Sequence, residues 1–397
     1  MREEIRRHLT AFDLDVRKSC DARFVDQKCT PDLVSFIADC VMALTEKKQG
    51  FTVKDLWRSE YFIKNVRVMF NKPYGNNKNA ANEYDKVLSQ PLKLLAYARV
   101  LHVEKVGKRG TLHFSVENPR LLEYIAKNMF NAYEFLYCYF EKVMTDSGLA
   151  HHFEEYKRKS TANPANAEQA RVAIYSEYLA FIRKHTPSKS KLDIPRMFHK
   201  VFNIYAAEYE LPGSSGKTAY KNAITYNRVN KRDVCKWKNE TREEAVARIK
   251  RENREARETY NDSHAADTLR KIRQDVSEIQ DDLAMGAATN AHHIFPKARF
   301  KKIAGYPENL ILLTAAQHYT KAHPGNNTKI IDPAYQLVCL LNKSRSIEES
   351  IAQDGEYYYS KQRFLEVVKL GAGIELDISM TFDEIRDRLR RDWPESE

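Results

Sequence analysis

Apolar positions recur at helical intervals over most of this chain and alternate in only a few short stretches. The pattern predicts a mainly α protein with small β-hairpins, an α+β class. Thr30-Pro31-Asp32 opens the first strong helix, with Thr as N-cap, Pro in the first turn and an acid beside it. Leu33, Phe36, Ile37, Cys40, Val41 and Leu44 then line one face. A short helix is predicted to start in 51–57, and others over 60–70 and 82–98. Leu101-His102-Val103-Glu104 and Leu112-His113-Phe114-Ser115-Val116 alternate instead, around the basic, Gly-bracketed stretch Lys105-Val106-Gly107-Lys108-Arg109-Gly110. That is a hairpin pattern. Residues 120–212 return to the helical period, with a dense aromatic run at 135–140 that reads as buried on all sides. Breaks fall at 159–166 and 185–191. The stretch Gly213-Ser214-Ser215-Gly216-Lys217-Thr218 lacks the spacing of a phosphate loop and reads as a flexible linker.

Further along, Thr241-Arg242-Glu243-Glu244 is a capping box opening a long, charged helical stretch. Val276, Ile279 and Leu283 resume a buried stripe. Then comes a short apolar segment, Ala291-His292-His293-Ile294-Phe295-Pro296, a charged loop over 297–308, and the wholly apolar run Leu310-Ile311-Leu312-Leu313. Helix formers over 315–323 end at Pro324-Gly325. The predicted order is strand, loop, strand, helix. A helical tail follows, with a second capping box at Thr381-Phe382-Asp383-Glu384. The run Tyr357-Tyr358-Tyr359 matches no mechanism. These shifts divide the chain into four segments: 1–120, 121–229, 230–335 and 336–397.

Composition narrows the partner. The 397 residues carry 65 Lys and Arg against 54 Asp and Glu, a net charge of +11, which suits a polyanion. No run approaches the roughly 18 apolar residues of a spanning helix, and the N-terminus has no apolar leader, so no membrane partner is expected. Six scattered cysteines form neither a disulfide framework nor a zinc spacing, which points to the cytoplasm. Helices followed by a basic hairpin are similar to a winged helix-turn-helix. On that reading Lys105, Lys108 and Arg109 touch phosphates or the minor groove. Asp26 and Lys28 form a fragment of another nuclease pattern, but no second acid is placed to complete it, and they read as surface charges.

The chemistry concentrates at 292–323, which holds four of the 12 histidines: His292, His293, His318 and His323. Imidazole is both the commonest metal ligand and the commonest general base near neutral pH. Neighbours on a strand point to opposite faces, so one His of the pair can face a metal and the other the substrate. His318, from the following helix, can complete the metal site, and Asn309 can fix the backbone or the ring of the base.

These residues resemble the HNH, or ββα-metal, nuclease family. The likeness covers roughly 286–329. It implies that His292 binds the metal, that His293 is the general base, that Asn309 is the family's central Asn, and that His318, nine residues beyond, is the helix ligand. The family's last His comes four residues after the helix ligand. Here that position is Ala322, and His323, one further on, is the candidate third ligand. No CxxC pair pins the hairpin. The implied fold is a ββα-metal core accompanied by winged-helix-like and helical DNA-binding regions, in which Lys236, Lys238, Lys297, Arg299 and Lys301 join the hairpin tip as DNA contacts. The implied activity is site-specific hydrolysis of double-stranded DNA with a divalent metal (Mg, or Mn, Co, Ni or Zn), most simply as a type II restriction endonuclease. A homodimer or two successive nicks would cut both strands. The alternatives are a homing endonuclease and a non-catalytic DNA-binding protein with a structural zinc hairpin.

Overall fold

The structure is a computed structural model and describes residues 1–70, 81–108, 110–163, 166–226, 236–323 and 332–394. Arg109, the basic residues Arg228, Lys231 and Arg232, and the turn residues Pro324, Gly325, Asn326 and Asn327 lie outside the described residues. With 63% helix and 7% strand in small antiparallel sheets, the chain is mainly α. It divides into two units, Arg2–Arg257 and Glu258–Glu397.

The first unit begins with α1 (Arg2–Thr10), α2 (Val16–Ser19) and α3 (Pro31–Thr45). Helix α3 is buried along almost its whole length because α7 (Pro119–Lys127) and α8 (Met129–Asp146) both pack on it. Strand β1 (Gly50–Thr52) leads into α4 (Val53–Arg58), where the expected short helix starts later than Phe51. Thr52 and Asp55 build a reciprocal capping box there, and its hydrogen bonds with the Lys48 pair hold Asp55 down at about 2 against the effect of its partial burial. Helices α5 (Glu60–Phe70) and α6 (Ala81–Tyr97) precede the hairpin β2 (Leu101–Val106) and β3 (Thr111–Val116). The hairpin is therefore where alternation placed it, but it is not alone. Strand β1 adds to β3, giving the order β1-β3-β2 and stacking Phe51 on Phe114. Helices α9 (Ala150–Ala162), α10 (Ala167–His185) and α11 (Asp193–Glu208) complete the bundle, and residues 135–140 are all buried in it.

Three sequence expectations change here. Residues 1–120 and 121–229 are not separate, since α3 joins them through one core. The stretch 213–218 is a tight turn rather than a flexible linker: Gly213 N–H donates to the Lys217 carbonyl at 2.8 Å, and Ser214 N–H donates to Asn203 Oδ1 at 2.8 Å. A Cβ at Gly213 would meet Asn203 Oδ1 at 2.9 Å and displace the side chain that accepts Ser214 N–H. The third concerns α12 (Arg242–Arg273). The Thr241–Glu244 capping box opens it as expected, but its 32 residues run on well past 260. It ends at Gln274 and Asp275, both at positive φ, and this reversal leaves Val276 exposed while Ser277, Glu278 and Ile279 turn inward. Val276 is thus not part of the buried stripe.

In the second unit β4 (Asn290–His293) pairs antiparallel with β5 (Leu310–Leu313), and α13 (Ala315–Gln317) follows. Every side chain of β5 is buried. Its outer edge is closed by Glu278, whose N–H donates to the Leu312 carbonyl at 3.0 Å and whose carboxylate accepts Leu312 N–H at 2.9 Å. Helices α14 (Pro333–Asp354), α15 (Lys361–Ala372) and α16 (Phe382–Asp392) belong to this unit too, so 336–397 does not stand apart from the hairpin. Lys343 of α14 is fully buried, pairs with Glu278 at 3.3 Å and donates to Tyr359 Oη at 3.1 Å. The last Tyr of the 357–359 run is therefore core, and its hydroxyl is part of a buried charge network. Helical spacing reports a buried face, not which neighbour covers it.

Candidate metal centre

Strand β4 presents His292 and His293 to opposite faces, opposite Ile311 and Leu310 of β5. His292 meets His318 and His323: one ring nitrogen from each lies within 4.8 Å of the others, and the centroids are 5.4, 4.9 and 4.9 Å apart. The His318–His323 pair depends on an unusual backbone. After the single α turn of α13 the chain winds as a π turn over His318–Ala322, closed by His323 N–H on the His318 carbonyl at 3.0 Å. In α geometry a residue five places on is rotated by about 140° from the first. The wider turn brings it back to the same side. Ala322, at the four-residue interval, points into the core instead.

The residue before the turn anchors it. Gln317 is fully buried, forms a capping box with Thr314, accepts from Ser277 Oγ at 2.6 Å, and donates to the Ile279 carbonyl and Asp281 at 2.8 Å each. His318 is thereby fixed to a segment that packs along β5.

The donor set suits a cation. Burial and then the neighbouring imidazoles push His292 down to about 3, and burial with His323 lowers His318, so both rings are neutral, the form that ligates. The Nδ1 atoms of His318 and His323 are buried with no hydrogen-bond partner. A cation in contact with either would satisfy it. Among the described residues the donors are three imidazoles and no carboxylate, a set that fits a nitrogen-seeking divalent ion (Mn, Co, Ni, Zn) better than Mg, which prefers oxygen.

His293 stands apart from this cluster. Its Nε2 lies 3.1 Å from the Ala304 carbonyl, which can only accept, so Nε2 carries the proton and Nδ1 keeps a lone pair. Burial holds the ring below its ordinary pKa, against the pull of Asp262 and of the Ala304 bond. Asn309 does not touch that ring. Fully buried, it accepts Phe295 N–H at 2.9 Å and donates to the Phe295 carbonyl at 3.0 Å, while its own carbonyl accepts Ile294 N–H at 2.9 Å. Of the two roles the sequence allowed it, fixing the backbone is the one this geometry supplies. The carbonyl of Ala304 fixes the tautomer, and a backbone acceptor leaves no trace in residue identity.

The basic residues divide. Lys105 and Lys108 at the hairpin tip, Lys236 and Lys238 beside Trp237, and Arg299 and Lys301 after β4 are exposed. Lys297 is half-buried and held by Asp262 at 2.6 Å and Glu258 at 3.7 Å, acids from α12 that the sequence did not flag. Lys28, expected as a surface charge, is instead half-buried: it pairs with Glu83 at 2.5 Å and lies over the Tyr226 ring. A cavity of about 900 Å³ in the first unit, walled by Tyr137, Phe153, Tyr205 and Tyr209, holds none of the histidines of the cluster. Of the cations lining it, Arg6 is paired with Glu141 and Lys142 with Asp146, and Lys157 sits 3.5 Å over Tyr209. Among the described residues no helix is long and apolar enough to cross a membrane, and five cysteines are free.

No protein-family model matches the chain, and neither a curated protein nor a solved structure is significantly similar to it.

Proposed function

We propose that this protein is a metal-dependent endodeoxyribonuclease of the HNH type, cutting double-stranded DNA at chosen sites as a type II restriction endonuclease does. The observation that supports this best is the division of labour along β4: His292 joins His318 and His323, while His293 faces away with Nδ1 unprotonated. A divalent cation held by the three imidazoles would polarise the phosphodiester and stabilise the leaving oxygen. His293 Nδ1 takes a proton from the attacking water while Nε2–H stays on the Ala304 carbonyl, which orients the ring and steadies the imidazolium that forms. Asn309 keeps the segment after the base from swinging. Exposed Arg299 and Lys301 lie in the loop that follows β4, where phosphate contacts would register the duplex.

The structural-zinc alternative is less well supported. Structural zinc is normally closed by four protein ligands, whereas three with an open position is the catalytic pattern, and among the described residues the cluster holds three. The test is incubation of supercoiled plasmid with the protein and Mg²⁺, Mn²⁺, Co²⁺ or Ni²⁺. Discrete fragments, with Mn²⁺, Co²⁺ or Ni²⁺ at least as effective as Mg²⁺, support the proposal, and a single rare cut favours homing. DNA that is bound but never cut with any of the four ions defeats the hydrolytic reading.

A further inference from the structure

One glycine of α15 lies against the segment that follows the proposed base. A Cβ built on Gly371 would stand 2.3 Å from Cδ2 and Cε2 of Phe295 and 2.5 Å from its Cγ. The ring cannot step aside freely: Phe295 is buried and packs edge-on against Phe300 at 5.4 Å. Its backbone is the peptide that Asn309 holds from both sides, two residues after His293. The same helix reaches the other half of that clamp. Glu308, next to Asn309 and fully buried, accepts Ser360 N–H at 2.7 Å, where Ser360 caps α15, and Arg363 Nε at 3.0 Å. Helix α15 therefore grips the clamp at both ends: its first turn holds Glu308, and its last turn supplies the gap into which Phe295 fits. Helix α14 adds a third tie through Gln336 Nε2, which donates to the Ile294 carbonyl at 2.6 Å.

We propose that Gly371 is a positioning residue for the hydrolytic site: by leaving room for Phe295 it lets α15 hold the Asn309 clamp, and with it His293, in register. The proposal rests on the hydrolytic reading of His293. It gives the C-terminal helices a part in the reaction although none of their residues belongs to the histidine cluster. Helix propensity alone runs the other way, since Ala is ordinarily the better residue inside a helix.

The test is Gly371→Ala in the full-length protein, with Phe295→Ala and the double variant beside it. Displacing reacting groups by about an ångström costs on the order of 100-fold in rate. The expected result is a loss of about that size in kcat, with KM for DNA and the affinity for Mn²⁺ unchanged. Amide exchange at Phe295, read in the absence of DNA, should be faster. In the Phe295→Ala background the glycine change should have no further effect, because the colliding ring is gone. Wild-type kcat together with unchanged Phe295 exchange in Gly371→Ala overturns the assignment, as does an effect that adds in full to that of Phe295→Ala. Should Gly371→Ala fail to fold, the double variant must fold, and its failure also overturns the proposal. If the wild-type protein cuts no DNA, it is the hydrolytic reading that falls, and amide exchange at Phe295 then decides alone whether Gly371 holds the clamp.

Discussion

Two antiparallel hairpins, one in each unit, are held in opposite ways. In the first, β2 and β3 pair over six residues across a short tip in which Gly107 and Gly110 take positive φ. Pairing and turn settle the register together, as in most short hairpins. Strand β2 is exposed beyond Leu101, and its Lys105 faces solvent, as does Lys108 in the tip. In the second, β4 and β5 pair over four residues, and residues 294–309 intervene. A connection of that length sets no register by itself. Side chains do it instead: Asn309 ties the start of the loop to its end, Glu278 closes the far edge, and Gln317 anchors the turn behind. The first presents charge on an exposed strand and tip. The second concentrates its specification in a few buried polar groups and offers geometry, which metal-assisted hydrolysis needs.

The largest effect that would break this contrast concerns the paired histidines. His293→Ala should lower the cleavage rate by about 10² to 10⁴-fold, roughly 3–5 kcal/mol of barrier, while metal and DNA still bind. His292→Ala should instead weaken metal binding itself, because it removes one of three clustered imidazoles. Calorimetric titration with Mn²⁺ beside cleavage kinetics separates the two. If His293→Ala loses metal and His292→Ala keeps it, the two faces of β4 have been assigned the wrong way round.

A smaller effect compares the hairpins directly. Asn309→Ala strips partners from the buried N–H and carbonyl of Phe295, at a cost of about 2–5 kcal/mol. Gly107→Ala forces a side chain into a left-handed conformation with open space around it, at about 1–2 kcal/mol. Denaturant unfolding monitored by amide exchange in each unit gives both numbers. Equal costs would mean that the long-looped hairpin is held by something other than its clamp.

The smallest effect tests the charge of the first hairpin. Lys105→Ala with Lys108→Ala should reduce the log–log salt slope of DNA binding by about 0.9 for each phosphate that is no longer neutralised, leaving cleavage chemistry alone. A slope that does not move takes the hairpin tip out of the interface.

How far the sequence could be read depends on where the information sits. Apolar periodicity located α3 and the aromatic core of α8, alternation located β2 and β3, and capping boxes located the starts of α12 and α16, because each signal lies in the segment that forms the element. The histidines and Asn309 were legible for a similar reason, their intervals being local. What could not be read was pairwise and distant. Strand β1 looked like the start of a helix because its partner β3 is some 60 residues away. The role of Tyr359 requires Lys343 and Glu278, and that of Gly371 requires Phe295. Ala304 contributes a carbonyl that any residue has. The inward turn of Glu278 follows from two positive-φ residues, Gln274 and Asp275, that do not announce themselves in composition.

The π turn has a consequence for recognising such sites elsewhere. Between His318 and His323 the backbone makes a single widened turn, closed by a hydrogen bond from the sixth residue back to the first. Two chains can therefore carry equivalent triads while disagreeing in the count of letters between them. A pattern written in fixed intervals rejects this arrangement, whereas one written in turns of helix accepts it. An interval of five closed by an i to i+5 hydrogen bond does for a π turn what an interval of four does for an α turn.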